Sequence, residues 1–171
     1  MDRRKTKTIA SVAVLTAMYF VLAAVLKIPV VGGITLDLGY IALAVGCVCL
    51  GAVPGMLIGV LGAFLESTLL SRHGISPGWM LMNAIAGYSC GLVLHRAADG
   101  DRKLFWLKAA LVILVSLLAG VTVKTFVDCA LYGIALLAKI PSSATAWLLD
   151  SIVMLAFGVP LSLVLKKRLK I

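Results

Sequence analysis

The chain alternates between long apolar stretches and short polar or turn-forming segments. A helix needs about 20 mainly apolar residues to cross the hydrocarbon core of a bilayer. Pro and Gly mark several of the breaks, as in KIPVVGGITLD and SRHGISPG. We predict a compact all-α bundle of six transmembrane helices in one domain, residues 1–171, with approximate spans at 8–26, 38–50, 54–70, 79–94, 104–128 and 144–165.

One apolar run, from 104 to 138, is ambiguous because it would form about 52 Å of helix. Basic residues cluster at 3–7, 96–108 and 166–170. If the run crosses once, all three clusters lie on the side of the N-terminus; if it crosses twice, the last one lies opposite. Because basic residues concentrate in cytoplasmic loops, we predict six spans with both termini in the cytoplasm.

Composition agrees with a membrane protein. The 171 residues are 62% hydrophobic and 13% charged, with a mean hydropathy of +1.11, which is too apolar for a soluble domain of this length. The net charge of +9 sits mostly at helix ends, so membrane lipid rather than nucleic acid is the expected partner. The start MDRRKTK could open a signal peptide, but the apolar stretch after it is longer than a signal core, and we predict a retained first helix.

The four cysteines all fall in apolar segments. Cys47 and Cys49 form a C-x-C pair, but no histidine or second cysteine pair accompanies them. We therefore expect buried free thiols, and neither a metal nor a cofactor.

Polar residues inside the apolar segments fall at one depth. The predicted topology places them toward the outer ends of five helices. Each has a local explanation: Lys124 and Asp128 are an i, i+4 pair, Asp37 could cap a helix, and Trp79 could lie at the membrane interface. Charges within a bundle usually face its interior or a wet cavity. We therefore predict an outward-facing substrate-binding site made of Asp37, Tyr40, Glu66, Trp79, Asn83, Lys124, Asp128 and Asp150.

Small residues repeat at helical spacing on two predicted helices. Ala10, Ala13 and Ala17 form one stripe on the first helix, and Ala13 and Ala17 make an A-x-x-x-A motif that lets another helix approach closely. Gly55 and Gly59 belong to a similar series on the third helix, where we expect packing within the bundle.

These features resemble the S components, the substrate-capturing membrane subunits, of energy-coupling factor (ECF) vitamin transporters. The resemblance rests on the six-span pattern with basic termini, the A-x-x-x-A motif, and two stretches: GGITLDLGYIALAVGCVCLGAVPGMLIGVLGAFLES and ISPGWMLMNAIAGYSCGLVLHR. Within the family the chain is most similar to the broad group that includes folate and pantothenate carriers.

The resemblance implies a function in vitamin uptake across the bacterial cytoplasmic membrane. An S component captures its small-molecule substrate from outside with high affinity. It then docks on a coupling transmembrane subunit with two cytoplasmic ATPases, as part of an ABC importer, and topples to deliver the substrate. The resemblance makes Ala10, Ala13 and Ala17 the docking face. The chain has no G-x-x-x-x-G-K-[ST] loop, so ATP must be bound by partners.

Two other functions compete with this one. A self-sufficient secondary transporter commonly shows internal repeats and a site at the membrane midplane, whereas here no repeat is evident and the polar residues lie near one surface. A membrane-embedded enzyme needs catalytic groups at a common depth, but His73 and His95 fall on opposite sides of the predicted bundle. We predict no catalytic residues and no enzymatic activity.

Overall fold

The computed structural model describes residues 3–25, 28–29, 35–70, 75–133 and 135–169. Within these residues the chain forms a bundle of six helices, and the predicted all-α class is confirmed. The last helix is continuous but contains a π-helical turn, Met154–Gly158. The helical elements are α1 (Arg3–Val25), α2 (Gly39–Leu50), α3 (Ala52–Leu69), α4 (Pro77–Ala97), α5 (Arg102–Tyr132), α6 (Leu136–Val153) and, after the turn, α7 (Val159–Leu169).

A short antiparallel pair of strands was not predicted. It joins β1 (Ile28–Pro29) to β2 (Thr35–Leu36) between α1 and α2. Two residues per strand are too few for an alternating pattern to signal. The end of the bundle that carries this pair is called the polar end below, and the opposite end, where α4 and α7 finish in basic residues, is called the basic end.

Four helices of the described chain are long and apolar enough to cross a membrane: α1, α3, α5 and the continuous helix 136–168. The apolar helix α2 has only 12 residues, about 18 Å, which is shorter than a bilayer core. It packs against α1, α3, α4 and α7, so most of its side chains are buried in protein. The centre of the bundle is therefore built around α2.

Helices α3 and α4 approach each other through glycines. A Cβ atom on Gly55 would lie 2.8 Å from the carbonyl oxygen of Gly87, and one on Gly59 would lie 2.7 Å from that of Asn83. Only glycine permits this spacing, because any side chain would meet backbone. Gly55 and Gly59 thus pack within the bundle, and Gly87 and Gly91 on α4 supply a matching series that the sequence reading did not single out.

Helix α1 has two different faces. Its buried face consists of Val12, Thr16, Tyr19 and Ala23. Ala10, Ala13 and Ala17 lie on the other face and are exposed. The A-x-x-x-A stripe therefore does not pack inside this bundle.

Helix α5 crosses the bundle once. It has 31 residues, about 46 Å, and ends where Gly133 adopts a left-handed conformation with φ of 64°. The next helix starts at Leu136 rather than at 144. Pro141 lies inside it, in its second turn, where the missing N–H removes one hydrogen bond of the helix.

The basic end is held by polar contacts near the surface. His95 Nδ1 lies 2.9 Å from the carbonyl oxygen of Val48, which ties α4 to α2. Lys166 on α7 pairs with the Asp99 carboxylate at 2.8 Å. The hydrogen bond and the charge of Lys166 lower the pKa of Asp99 below its usual value. All four cysteines are free thiols, and three of them are buried.

Candidate functional site

All eight predicted binding residues come together at the polar end. They lie next to Tyr19 on α1 and Lys139 on α6, and the ten residues are called the polar cluster below. Its members are Tyr19 from α1; Asp37, just before α2; Tyr40 from α2; Glu66 from α3; Trp79 and Asn83 from α4; Lys124 and Asp128 from α5; and Lys139 and Asp150 from α6.

Asp37 joins three elements at the entrance to α2. Its Oδ1 accepts a hydrogen bond of 2.8 Å from the N–H of Gly39, the first residue of α2. Its Oδ2 accepts from the hydroxyl of Tyr19 at 3.2 Å, and the same hydroxyl lies 3.4 Å from Asn83 Oδ1. The N-cap position of α2 is Leu38, so Asp37 does not cap the helix as expected. Its carboxylate instead accepts from the first N–H of α2, and it connects α2 to α1 and, through the Tyr19 hydroxyl, to α4.

Three aromatic rings pack in series next to this carboxylate. Tyr40 lies between Tyr19 and Trp79, with ring centroids 6.3 and 6.5 Å away and steep interplanar angles of 62° and 83°. Such edge-to-face contacts fix ring orientation. Tyr40 is completely buried, yet its hydroxyl oxygen has no hydrogen-bond partner among the described residues.

Lys124 and Asp128 face the interior of the bundle. Lys124 Nζ lies 3.1 Å from Asp128 Oδ2 and 5.5 Å from the centre of the Trp79 ring. A third charge joins them, because Lys139 Nζ lies 3.4 Å from the same carboxylate oxygen. The Asp128 side chain is 5% exposed, whereas the two lysines are 22% and 25% exposed. Asp128 is thus a buried anion between two partly accessible cations.

The second oxygen of Asp128 points at α4. A Cβ atom on Gly78 would lie only 2.8 Å from Asp128 Oδ1, so the carboxylate occupies the space that a side chain at position 78 would fill. Among the described residues Asp128 Oδ1 has no hydrogen-bond partner.

Asp150 and Glu66 complete the cluster from α6 and α3. Asp150 is 2% exposed, and its Oδ2 has no hydrogen-bond partner among the residues described. Its charge interacts with those of Asp37, Glu66 and Lys124, so these groups lie at the same end of the bundle.

Two members of the cluster, Tyr19 and Lys139, were not predicted. Tyr19 lies on the buried face of α1 at helical spacing from Thr16 and Ala23, and that periodicity could have indicated its burial but not its polar partners. Lys139 lies in a segment that was predicted to connect the last two spans. Its contact with Asp128 could not be predicted, because it depends on α6 beginning at Leu136.

The cluster has the chemistry of an organic ligand site. Carboxylates, an amide, hydroxyls and aromatic rings provide directional hydrogen bonds and flat apolar surfaces, as in typical small-molecule sites. No group of three or more potential metal ligands occurs within the described ranges. The arrangement is suited to binding and holds no evident nucleophile with an adjacent base.

Comparisons with known proteins agree with this description. Residues 3–167 match the family model described as "ECF-type riboflavin transporter, S component". The fold is similar to the crystal structure at 2.1 Å of the S-component for biotin from an ECF-type ABC transporter. The TM-score is 0.66 at 18% sequence identity, over 99% of this chain and 94% of that one. A search of curated proteins finds no match.

The family match covers nearly the whole chain, and it confirms the resemblance stated from the sequence. The narrower relation to folate and pantothenate carriers is not confirmed. Both comparisons are with transport subunits, so the prediction that the chain is not an enzyme is confirmed. This membrane protein belongs to the S components of ECF-type transporters, the subunits that capture the vitamin substrate.

Proposed function

We propose that this chain captures a vitamin or vitamin-like small molecule in the polar cluster and passes it on as a subunit of an ECF-type ABC importer. The observation that carries the proposal is that three polar atoms of the cluster, Tyr40 Oη, Asp128 Oδ1 and Asp150 Oδ2, are buried and have no hydrogen-bond partner among the described residues. A buried polar group without a hydrogen bond costs roughly 1–3 kcal/mol. A bound ligand with matching groups would recover that free energy.

Riboflavin is the first candidate ligand, because the matching family is named for its transport. Riboflavin combines a flat aromatic ring system with a chain of hydroxyl groups. The rings of Tyr40 and Trp79 offer surfaces for the former, and the carboxylates of Asp37 and Asp150 offer acceptors for the latter.

The polar end faces the outside of a bacterial cytoplasmic membrane in this proposal, and both termini lie in the cytoplasm. The basis is the concentration of lysine and arginine at the basic end. In a chain without its native cysteines, an impermeant thiol reagent should label a cysteine introduced at Ser76 in intact cells, and not one introduced at Gly100. The reverse pattern would contradict this orientation.

The exposed alanine face of α1 is proposed to dock on the coupling transmembrane subunit, which carries two ATPases. Ala13 and Ala17 are exposed, and their small side chains permit close approach of a partner helix. ATP hydrolysis by the partners then drives delivery of the substrate.

The experiment that tests capture is native mass spectrometry of the protein purified from cells grown with vitamins. We expect one small molecule bound per chain, and its mass identifies it. Uptake of that molecule should require co-expression of the coupling subunit and ATPases. Uptake by the chain alone would instead support a secondary transporter, and absence of any bound or bindable vitamin would contradict capture.

A further inference from the structure

A groove runs along the outside of the bundle between α4 and α5. It encloses about 330 Å³, and its lining includes Ile85, Ser89 and Val93 from α4 and Lys108, Val112 and Ala119 from α5. The hydroxyls of Ser89 and Ser116, which also line it, donate to carbonyl oxygens of their own helices. Apart from Lys108, the groove therefore offers an occupant apolar surface.

The length of the groove matches the depth of one leaflet. Lys108 and Ala119 mark its two ends on α5, and 11 residues of helix separate them by about 16 Å. Half of a hydrocarbon core of about 30 Å is about 15 Å. One acyl chain that lies along the groove would thus reach from the headgroup layer to the middle of the membrane.

Lys108 marks the end of the groove that lies toward the basic end of the bundle. Helix α5, at about 46 Å, is about as long as a bilayer with its headgroups is thick, about 40–45 Å. Lys108 lies six residues after Arg102, the first residue of α5, or about 9 Å along the helix. A headgroup layer is about 5–8 Å deep on each side. The ammonium group can therefore reach the phosphate layer while its aliphatic stem packs in the groove.

Two bases at this end of the groove have no counterion in the protein. Within the described ranges neither Lys108 nor Arg96 pairs with a carboxylate, and both are exposed. Arg96 follows Val93 by three residues and so lies on the same face of α4. Of the acids in this segment, Asp99 pairs with a lysine of α7, and Asp101 lies about 10 Å before Lys108. Basic pockets between transmembrane helices are typical sites for anionic lipid headgroups.

We propose that the groove between α4 and α5 is a site for an anionic phospholipid, with one acyl chain along the groove and the phosphate beside Lys108 and Arg96. A zwitterionic headgroup carries its own cation and gains less from these two bases. In the orientation proposed above, the lipid belongs to the cytoplasmic leaflet. The site shares no residue with the polar cluster, so it stands or falls independently of vitamin capture.

The first test measures lipid binding to the purified, delipidated full chain in detergent by native mass spectrometry. The probes are phosphatidylglycerol and phosphatidylcholine with the same acyl chains. A base near the membrane surface is worth about fivefold in affinity for an anionic lipid, so two bases should favour phosphatidylglycerol by about ten- to thirtyfold. Lys108→Gln and Arg96→Gln should each reduce that preference about fivefold. Lys167→Gln on α7 removes the same charge from an exposed position away from the groove, and should bind as the parent does. Equal affinity for the two lipids, or an equal loss in Lys167→Gln, would overturn the proposal.

The second test separates the acyl chain from the headgroup. Ala119→Trp fills the inner end of the groove and should weaken binding of both lipids severalfold, without changing the preference between them. Leu118→Trp is the matched control, because Leu118 is the neighbouring exposed residue and lines a different groove, between α5 and α6. It should bind both lipids as the parent does. Unchanged binding in Ala119→Trp, or the same loss in Leu118→Trp, would overturn the placement of the lipid between α4 and α5.

Discussion

The two ends of the bundle treat polar groups in opposite ways. At the basic end, Lys166 pairs with Asp99 near the surface, and the Asp99 side chain is 74% exposed. At the polar end, Asp128 and Asp150 are buried among helices and each keeps an oxygen without a partner in the described chain. The first arrangement is ordinary for the rim of a membrane protein. The second is costly to maintain.

The residues of one end are explained by packing, whereas those of the other end are not. In the half of the bundle toward the basic end, α3 and α4 meet through glycines such as Gly55 and Gly87. Close packing alone explains the residues of that region. The polar end could have been filled with apolar side chains of similar volume at little or no loss of stability. We propose that it holds carboxylates, lysines and hydroxyls together because a ligand uses them.

The largest effect is expected for a substitution that abolishes transport and leaves ligand binding unchanged. Ala13→Trp should abolish vitamin uptake by the complete transporter, because the bulky ring would prevent the close approach of the coupling subunit. Ligand binding to the isolated chain should be unchanged, since Ala13 lies on the exposed face of α1, away from the polar cluster. Val115→Trp, at an exposed position of α5, is the matched control and should transport normally. Loss of binding together with transport would show that the alanine face serves the fold.

The next largest effect is expected on stability, when the ionic contacts of Asp128 are removed. Asp128→Leu leaves Lys124 and Lys139 without their shared partner, and should destabilise the fold by about 1–3 kcal/mol in thermal unfolding, because both lysines are partly exposed and can still reach water. Lys124→Met should cost less, because Lys139 still pairs with Asp128. The double variant should recover most of the stability, since the remaining lysine is partly exposed and can reach water.

Binding by the same variants decides what these charges do. If they belong to the substrate site, binding should stay weakened in the double variant although its stability recovers. Binding equal to that of the parent would show that the pair stabilises the fold and does not contact the substrate.

A smaller and purely structural effect is expected between α3 and α4. Gly87→Ala places a Cβ atom against the backbone of α3, 2.9 Å from the amide nitrogen of Met56, and should cost about 1–3 kcal/mol. Gly100→Ala is the control, because its Cβ would meet nothing closer than 3.5 Å. Thermal unfolding should separate the two, while the folded Gly87→Ala protein binds ligand normally. Equal stability would contradict the close packing described for these helices.

The smallest effect is expected at the surface pair of the basic end. Because Lys166 lowers the pKa of Asp99, the pair stabilises the fold above the unfolded value of about 3.8, and that contribution is lost as pH falls through the folded pKa. Asp99→Asn should therefore cost at most about 1 kcal/mol at neutral pH, and nothing in strong acid. A larger loss of stability at neutral pH would contradict the description of this pair as a solvent-exposed contact.

Apolar stretches and basic clusters were enough to predict the helices and the shared depth of the polar residues. The local pair Lys124–Asp128 followed from its spacing of four. The contact of Asp128 with Lys139 did not, because it depends on where α6 begins. Tyr19 was missed since a single hydroxyl in an apolar helix does not stand out, and its role comes only from Asp37 and Asn83, which are distant in sequence.

The most direct test of the account is an experimental structure of the chain with its co-purified or added vitamin. The account predicts ligand density inside the polar cluster, with a donor within hydrogen-bonding distance of Asp150 Oδ2 and the ligand in contact with Tyr40 or Trp79. Ligand density elsewhere, for example in the apolar groove that Ala10, Val14 and Leu165 line between α1, α2 and α7, would contradict it.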